Sequence, residues 1–520
     1  MPRYFNTAGP NQPDISYTLD PLKRIDLEGL LPLIQERRYF VLHAPRQTGK
    51  TSCLLALMHH LNAGGQYRAL YANIEPGQAA RENLERAMPA IVQSIGGNAE
   101  VWLNESATEN LALEVSKNSA PDSMLQTFLR RWCETSDKPS VLFLDEIDAL
   151  IGDTLLSVLR QLRAGYTNRP QAFPHSIILC GVRDVKDYRI HSTRENAIIT
   201  GGSAFNVKAK SIRLGDFSQT DIAELYAQHT AATGQTFSEE SMDLVWDYTR
   251  GQPWLVNALA HEVTGEYKRA YTGEIDAERM RDAKEALIVS RQTHLDQLAA
   301  RLEEPRVRSV VELILTGADD ADVLNPDDVQ YVRDLGLIAP DKPLRIANAI
   351  YREVIPRELT WAKQETMPDR EVAYITPDDR LDMRVLLTDW QQFWRQNAEV
   401  WQERFDYKEA GPQLLMQAYL QRVINGGGRI EREYGLGRRR TDLFITYPLY
   451  PVRQRIVVEL KVARRNYAQT LADGLRQTND YMDKCAADEG HLIVFDRVSG
   501  ASWDERIFAR QDGHITVWGC

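Results

Sequence analysis

Residues 39–51 read Tyr39-Phe40-Val41-Leu42-His43-Ala44-Pro45-Arg46-Gln47-Thr48-Gly49-Lys50-Thr51. The opening run is apolar and stops at Ala44-Pro45, the pattern of a strand buried on both faces that empties into a loop. Thr51 to Leu61 reads as a helix, and Ala69 to Ile74 as the next strand. A strand, a turn carrying Gly49 and a helix in that order place backbone N–H groups at a helix N-terminus, where phosphate oxygens are held. Lys50 would reach the outer phosphates of a nucleotide, and the Thr51 hydroxyl would hold Mg²⁺. Ala44 stands where this loop usually carries glycine, which works only if the position avoids positive φ.

A second apolar strand, Val141-Leu142-Phe143-Leu144, closes on Asp145-Glu146. Asp145 at the strand end can bind Mg²⁺ through water, and Glu146 can orient or deprotonate an attacking water. Ile177-Ile178-Leu179 is a third buried strand, and Asn98 to Asp122 reads as peripheral helix and loop. Strands alternating with helices point to a parallel α/β sheet.

The chain has 520 residues, which suggests about three domains. Hydrophobic content of 43% and charged content of 26% exclude a disordered chain and a disulfide-stapled miniature. The five cysteines are scattered and form no Cys-x-x-Cys pair. A reducing, cytoplasmic setting without a thiolate metal site is the natural reading. No apolar run approaches the roughly 20 residues a membrane helix needs, and Met1 to Asp20 has no apolar core of the signal-peptide kind. The net charge of −11 excludes a generally basic nucleic-acid coat, so DNA contact requires a local patch.

The spacing divides the chain into an α/β core (1–217), a helical lid (218–292), a winged-helix-like extension (293–362), a linker (363–382) and a second α/β domain (383–520). In the extension, Asn325-Pro326-Asp327-Asp328 is a helix start that Gly336 ends, and Pro343 to Ala347 is expected as a short strand of a hairpin. The helix carries Asp327, Asp328 and Asp334 against Arg333, so phosphates would repel it, and a lid or protein-docking role fits better. In the last domain a helix over Gln413 to Val423 should precede strands at Thr441 to Thr446, Ile456 to Leu460 and His491 to Phe495.

That last domain carries Asp442 and then Glu459-Leu460-Lys461. Residues two apart on a strand share a face, so Glu459 and Lys461 project together. Two carboxylates and a lysine at one end of a small sheet suit Mg²⁺-assisted attack on a phosphodiester. Residues 429–465 hold ten basic and four acidic residues, and Arg438-Arg439-Arg440 lies just before Asp442, where a DNA backbone would pass.

The first half resembles the AAA-like branch of P-loop ATPases, near the archaeal-ATPase and STAND groups. The likeness rests on Ala44 to Thr51, Leu144 to Asp148, Gly181 to Asp184, Ser203 to Asn206 and Gly251 to Trp254. It implies that Ala44, Pro45, Arg46, Gln47, Thr48, Gly49, Lys50, Thr51, Ser52 and Asp145 bind ATP and Mg²⁺, with Glu146 catalytic. It further implies that Arg183 senses the γ-phosphate and that Pro253 lies near the adenine. The last domain is similar to the PD-(D/E)XK nuclease superfamily over about residues 405–500. By that resemblance Asp442 and Glu459 are metal ligands and Lys461 is catalytic. Gln477 belongs with Tyr481 to a Gln-x-x-x-Tyr feature, and Glu409 is the nearest candidate for a first-helix glutamate.

The expectation is an ATPase that gates or loads a Mg²⁺-dependent DNA nuclease in bacterial genome defence or mobile-element control. The alternative is a nucleotide-controlled switch whose nuclease-like domain only binds DNA or protein. Homo-oligomers and a protein partner on the extension stay open.

Overall fold

The computed structural model describes residues 3–192, 197–265, 272–290, 293–316, 324–355, 358, 374–404, 416, 419–420, 429–436, 439–449, 452–463, 466–496 and 502–520. Within these, side chains at 186, 189–192, 197–199, 289, 293, 396–404, 429–442, 448, 449 and 452 are not described. The chain divides into two compact units, Met1–Ser290 with Gln330–Pro340, and Arg291–Val329 with Asp341–Cys520.

The first unit is built on β1 (Tyr39–His43), β2 (Arg68–Asn73), β3 (Ser140–Asp145) and β4 (Ser176–Gly181). A small hairpin, β5 (Arg189–Ser192) and β6 (Ala197–Thr200), precedes the fifth sheet strand, β7 (Lys208–Arg213). The sheet order is β2-β3-β4-β1-β7, and every pairing in it is parallel. Alternate residues of these strands feed two different cores. Tyr39, Val41, Leu70, Leu142 and Leu144 pack on one face; Phe40, Leu42, Tyr71, Val141 and Phe143 pack on the other. A strand buried on both sides has no polar face to show, which is why these read as continuous apolar runs.

The stretch expected as peripheral helix and loop, Asn98 to Asp122, is helix at 98–103 and 106–118 with short loops, and it sends a few residues into the core. Helices Leu84–Leu103, Ser106–Asn118 and Pro121–Cys133 cover one face, and Ala99, Ala112 and Val115 are buried there. Beyond the sheet, helices Gln219–Thr233, Glu239–Thr249, Pro253–Thr264 and Ala277–Val289 follow in the span expected to be helical. The first of them begins with a reciprocal Ser218–Asp221 cap.

The second unit holds helices Thr293–Leu302 and Pro305–Thr316, the long helix Met383–Arg404, and a six-stranded sheet. Its strands are β8 (Arg429–Leu436), β9 (Arg439–Leu449), β10 (Val452–Ala463), β11 (Glu489–Asp496), β12 (Phe508–Asp512) and β13 (Ile515–Gly519). The order is β12-β13-β11-β10-β9-β8. β8, β9 and β10 form an antiparallel meander; helix Tyr467–Cys485 then crosses over so that β11 pairs parallel to β10. Trp390 and Trp394 are buried against Ile456, Val458 and Leu460, so these tryptophans are core residues. Most of the helix expected over Gln413 to Val423 lies outside the described residues.

The helix Pro326–Asp334 crosses the division between the units, and Gly336 follows it at φ 79°. The strand expected at Pro343 to Ala347 does not form; only Ile346 makes an isolated bridge. Pro343 has no N–H to give to a ladder, and Asn348 already accepts the Tyr351 N–H at 2.9 Å to start the next helical turn.

His294 is buried in the second unit, with its Nε2 2.6 Å from the Tyr351 hydroxyl. Burial pushes its imidazole down to about 4. The unfolded chain therefore takes up this proton near the ordinary value of about 6.5, whereas the folded chain resists it. Stability from this group is present above that value and is lost as the pH falls toward 4. Between pH 7 and pH 5 urea unfolding should show His294→Gln losing about 2 kcal/mol less than the parent chain.

Candidate functional site: a phosphate loop beside an acidic strand end

β1 delivers the chain into the loop at Ala44, whose N–H donates to the Gly181 carbonyl of β4 at 3.2 Å. Ala44 is fully buried and is not among the positive-φ residues, so the missing glycine costs nothing there. The left-handed positions are Gln47 at φ 56° and Gly49 at φ 87°. Gly49 caps the helix Lys50–Ala63. Thr48 Oγ1 donates to the Pro45 carbonyl at 2.8 Å and braces the turn from inside. Lys50, only 7% exposed, donates from Nζ to the carbonyls of Ala44 and Pro45 at 3.0 and 2.9 Å. Arg46 is exposed, and Ser52 sits in the first turn of the helix.

β4 lies between β1 and β3, so the loop and the end of β3 meet across one intervening strand. Thr51 Oγ1 donates to Asp145 Oδ2 at 2.8 Å. The Tyr71 hydroxyl, from the neighbouring β2, donates to the same oxygen at 3.0 Å, and the Glu146 N–H donates to Oδ1 at 2.9 Å. Asp145 is 1% exposed, a carboxylate taken out of water and held by three donors. A hydroxyl and a carboxylate oxygen this close form a hard-oxygen pair of the kind Mg²⁺ accepts with waters completing its shell.

Glu146 turns away from the strand in the left-handed region at φ 60°. Burial, and then the charges of Asp148 and Asp145, raise its carboxyl above the usual range, while Lys50 and Arg46 oppose them. A raised carboxyl at the mouth of a phosphate loop is a suitable proton acceptor for water.

Arg183, expected at the end of β4, is turned toward the segment Gln330–Pro340. Its Nη2 donates to the Asp187 carbonyl at 2.8 Å, and its Nε lies 3.6 Å from Asp334 Oδ2. The guanidinium also stands 4.7 Å from the Tyr331 ring centroid and 5.4 Å from that of Tyr188. Asp334 is only 3% exposed; it belongs to the interior and not to an acidic outer face of the extension helix. Two residues on, Gly336 packs on the loop itself. A Cβ there would stand 2.7 Å from Pro45 Cγ, at a φ that side chains rarely adopt.

Pro253 opens the helix Pro253–Thr264 and lines a cleft shared with Gln47, Gly49 and Ser52. The structure thus brings the phosphate loop, Asp145, Glu146 and Pro253 to one place. Arg24 was not legible. Its guanidinium lies over the Phe217 ring and donates to the carbonyls of Thr48 and Gly215 at 2.5 and 2.7 Å. No motif surrounds Arg24 in the sequence. Tyr71 was also missed, because an aromatic residue in an apolar strand reads as core.

In the second unit Glu459 is 2% exposed, and Lys461 Nζ donates to its Oε1 at 2.6 Å. The last described pair of the β9–β10 ladder is Leu443 with Val458. Asp442 and Glu459 are the next residues along their strands, although the Asp442 side chain and all of Glu409 lie outside the described residues. Gln477 is half-buried on helix Tyr467–Cys485, and its Oε1 has no hydrogen-bond partner. Tyr481 packs with Phe444 and Val457. Of the basic segment, Arg453 and Arg455 are exposed, whereas Arg438, Arg464 and Arg465 and the side chains of Arg429, Arg432, Arg439 and Arg440 are outside the description. Among the described residues no helix is long and apolar enough to cross a membrane.

A parallel sheet in this strand order, with a phosphate loop after one strand and an Asp-Glu pair after the next but one, defines a P-loop ATPase that binds and hydrolyses ATP. A pattern for the AAA-like domain matches residues 33–353, and the chain belongs to that family. No curated protein matches it. Among solved structures it is similar to the Walker-type ATPase PABY2304 of Pyrococcus abyssi, at 13% identity and a TM-score of 0.47, covering 68% of this chain and 99% of that one. Cdc6p from Pyrobaculum aerophilum matches at 14% identity and a TM-score of 0.34, covering 70% and 97%. The Thermotoga maritima RuvB Holliday junction branch migration motor matches at 11% and 0.33, covering 65% and 95%.

Gly49→Ala tests the loop. The new Cβ would stand 2.7 Å from Arg24 Nη1 on a left-handed backbone. A loss of about 1–2 kcal/mol in thermal unfolding is expected, together with weakened ATP binding.

Proposed function

We propose that this chain is an ATP-dependent DNA enzyme, in which nucleotide binding and hydrolysis at the phosphate loop gate a Mg²⁺-dependent nuclease in the C-terminal domain. For the ATPase half, the Thr51–Asp145 contact carries the reading. Thr51 and Asp145 would hold the ion, which supplies charge neutralisation at the phosphates. The loop N–H groups and Lys50 bind and orient the triphosphate, and Lys50 exchanges its two loop carbonyls for phosphate oxygens. Glu146 orients the attacking water and accepts its proton.

For the nuclease half, the Glu459–Lys461 pair carries the reading. It is supported by the meander, crossover helix and parallel strand around it, and by the neighbouring ladder position of Asp442. Glu459 and Asp442 would hold the ion, which supplies an activated water and polarises the phosphodiester. Lys461 positions that water or offsets developing charge. The basic segment 429–465 would track the DNA backbone.

The Arg183–Asp334 pair supports a route for gating. A γ-phosphate offers Arg183 a second anion, and Arg183 cannot serve both partners. Release of Asp334 would then loosen the segment Gln330–Pro340, whose Gly336 rests on Pro45.

The test is Mg²⁺-dependent degradation of linear and supercoiled DNA with ATP, a non-hydrolysable analogue or no nucleotide. Glu146→Gln is expected to lower ATP hydrolysis by roughly 10²-fold or more while ATP still binds. Glu459→Ala and Lys461→Ala should abolish DNA cleavage and leave ATP hydrolysis in place. If neither changes cleavage, the domain is a binding module and the chain a nucleotide-controlled switch. Asp334→Asn should bring cleavage without ATP closer to the ATP-bound rate; unchanged ATP dependence would exclude this route.

A further inference from the structure

Tyr71 has its ring in the core of the first unit, yet its hydroxyl reaches out of that core to the acidic strand end. The side chain is 7% exposed, and its ring meets Trp102 edge-on, with centroids 6.4 Å apart at 89°. The hydroxyl donates to Asp145 Oδ2 at 3.0 Å, and Thr51 Oγ1 donates to the same oxygen at 2.8 Å. A carboxylate has no proton to give, so both hydroxyls are donors here and fill the two acceptor positions of Oδ2. Oδ1 takes only the Glu146 N–H, at 2.9 Å, from the backbone. The buried Cys180 thiol also faces Asp145, but a thiol is a weak donor. Asn73 lies level with Asp145 in the β2–β3 ladder, yet it is turned into its own loop, where its Oδ1 accepts the Glu75 N–H at 2.8 Å. Packing alone does not require the Tyr71 oxygen, since phenylalanine fills nearly the same space.

We infer that Tyr71 is a positioning residue of the cation site: together with Thr51 it occupies Oδ2, leaves Asp145 a single oxygen to offer a cation, and so selects Mg²⁺ over Ca²⁺. The inference rests on the reading that Thr51 and Asp145 hold the cation that accompanies a triphosphate. Mg²⁺ is small, keeps several of its waters and needs little from a carboxylate beyond one oxygen. Ca²⁺ is larger, gathers more oxygens and gains from a carboxylate that offers both. A carboxylate pinned at Oδ2 by hydroxyls from two different elements, β2 and the helix Lys50–Ala63, cannot turn to present both oxygens. Without the phenol oxygen, Oδ2 regains an open acceptor position and that restraint is lost.

The measurement is equilibrium binding of a ribose-labelled fluorescent ATP to the full chain with Mg²⁺, with Ca²⁺, or with EDTA and no divalent cation. The unaltered protein should bind the Mg²⁺ form at least about tenfold tighter than the Ca²⁺ form, the scale of one hydrogen bond to a charged group. Tyr71→Phe should narrow that ratio to within about threefold, chiefly by weakening the Mg²⁺ form, while affinity in EDTA stays within about twofold of the parent. Equal weakening in all three conditions would mark a merely structural role and overturn the inference, as would a Mg²⁺-to-Ca²⁺ ratio that Tyr71→Phe leaves unchanged. Equal affinities for the two forms on the unaltered chain would also overturn it, and that comparison stands even if Tyr71→Phe folds poorly. If ATP binds equally with Mg²⁺ and with EDTA, and Thr51→Ala alters neither, the cation reading of Thr51 and Asp145 is removed and this inference with it.

Discussion

The hydrogen bond from Thr51 to Asp145 joins the first turn of the loop helix to the end of a strand two places away in the sheet. Everything proposed for the nucleotide depends on that distance. A phosphate needs N–H donors and a cation; a cation needs hard oxygens; the two demands are met only where a loop and an acidic strand end face each other. The parallel sheet provides the meeting point, because all five strands present their C-terminal ends on one side. Burial then sets the chemistry. Asp145 is kept dry and bonded to three donors, whereas burial lifts the carboxyl of Glu146, one residue on, above the usual carboxylate range.

The surroundings of the site are built from parts distant in the chain. Arg24 grips the loop carbonyl at Thr48; Gly336 rests on Pro45; Asp334 takes up Arg183. Each of these contacts links phosphate geometry to another stretch of chain. An ion pair this buried is worth little as a source of stability, because desolvation offsets its attraction. In the gating route proposed above, its value is that one guanidinium would face two competing anions when nucleotide arrives.

Much of the architecture was legible. The strands around the loop, the Asp145-Glu146 terminus, the helix start at Asn325-Pro326 and the strands β9, β10 and β11 of the second unit all have strong local signals. They are apolar runs bounded by turn residues, or caps with a stated hydrogen bond. The failures share a cause. The expected strand at Pro343 to Ala347 lost to a proline without an N–H and to a helix start at Asn348. Asp334 looked like part of an acidic surface because a sequence shows charge and not which way it faces.

By itself the sequence determined what depends on near neighbours: a strand, a turn that needs Gly49, a helix behind it, and two acids where a buried strand ends. Tertiary structure decided what depends on partners far apart. It set which anion Arg183 holds, that Asp334 is interior, and that Tyr71 and Thr51 share one carboxylate oxygen. The division has a physical reason. Backbone preferences and capping act over a few residues, whereas burial and hydrogen bonding are settled only once the sheet has brought remote side chains into contact.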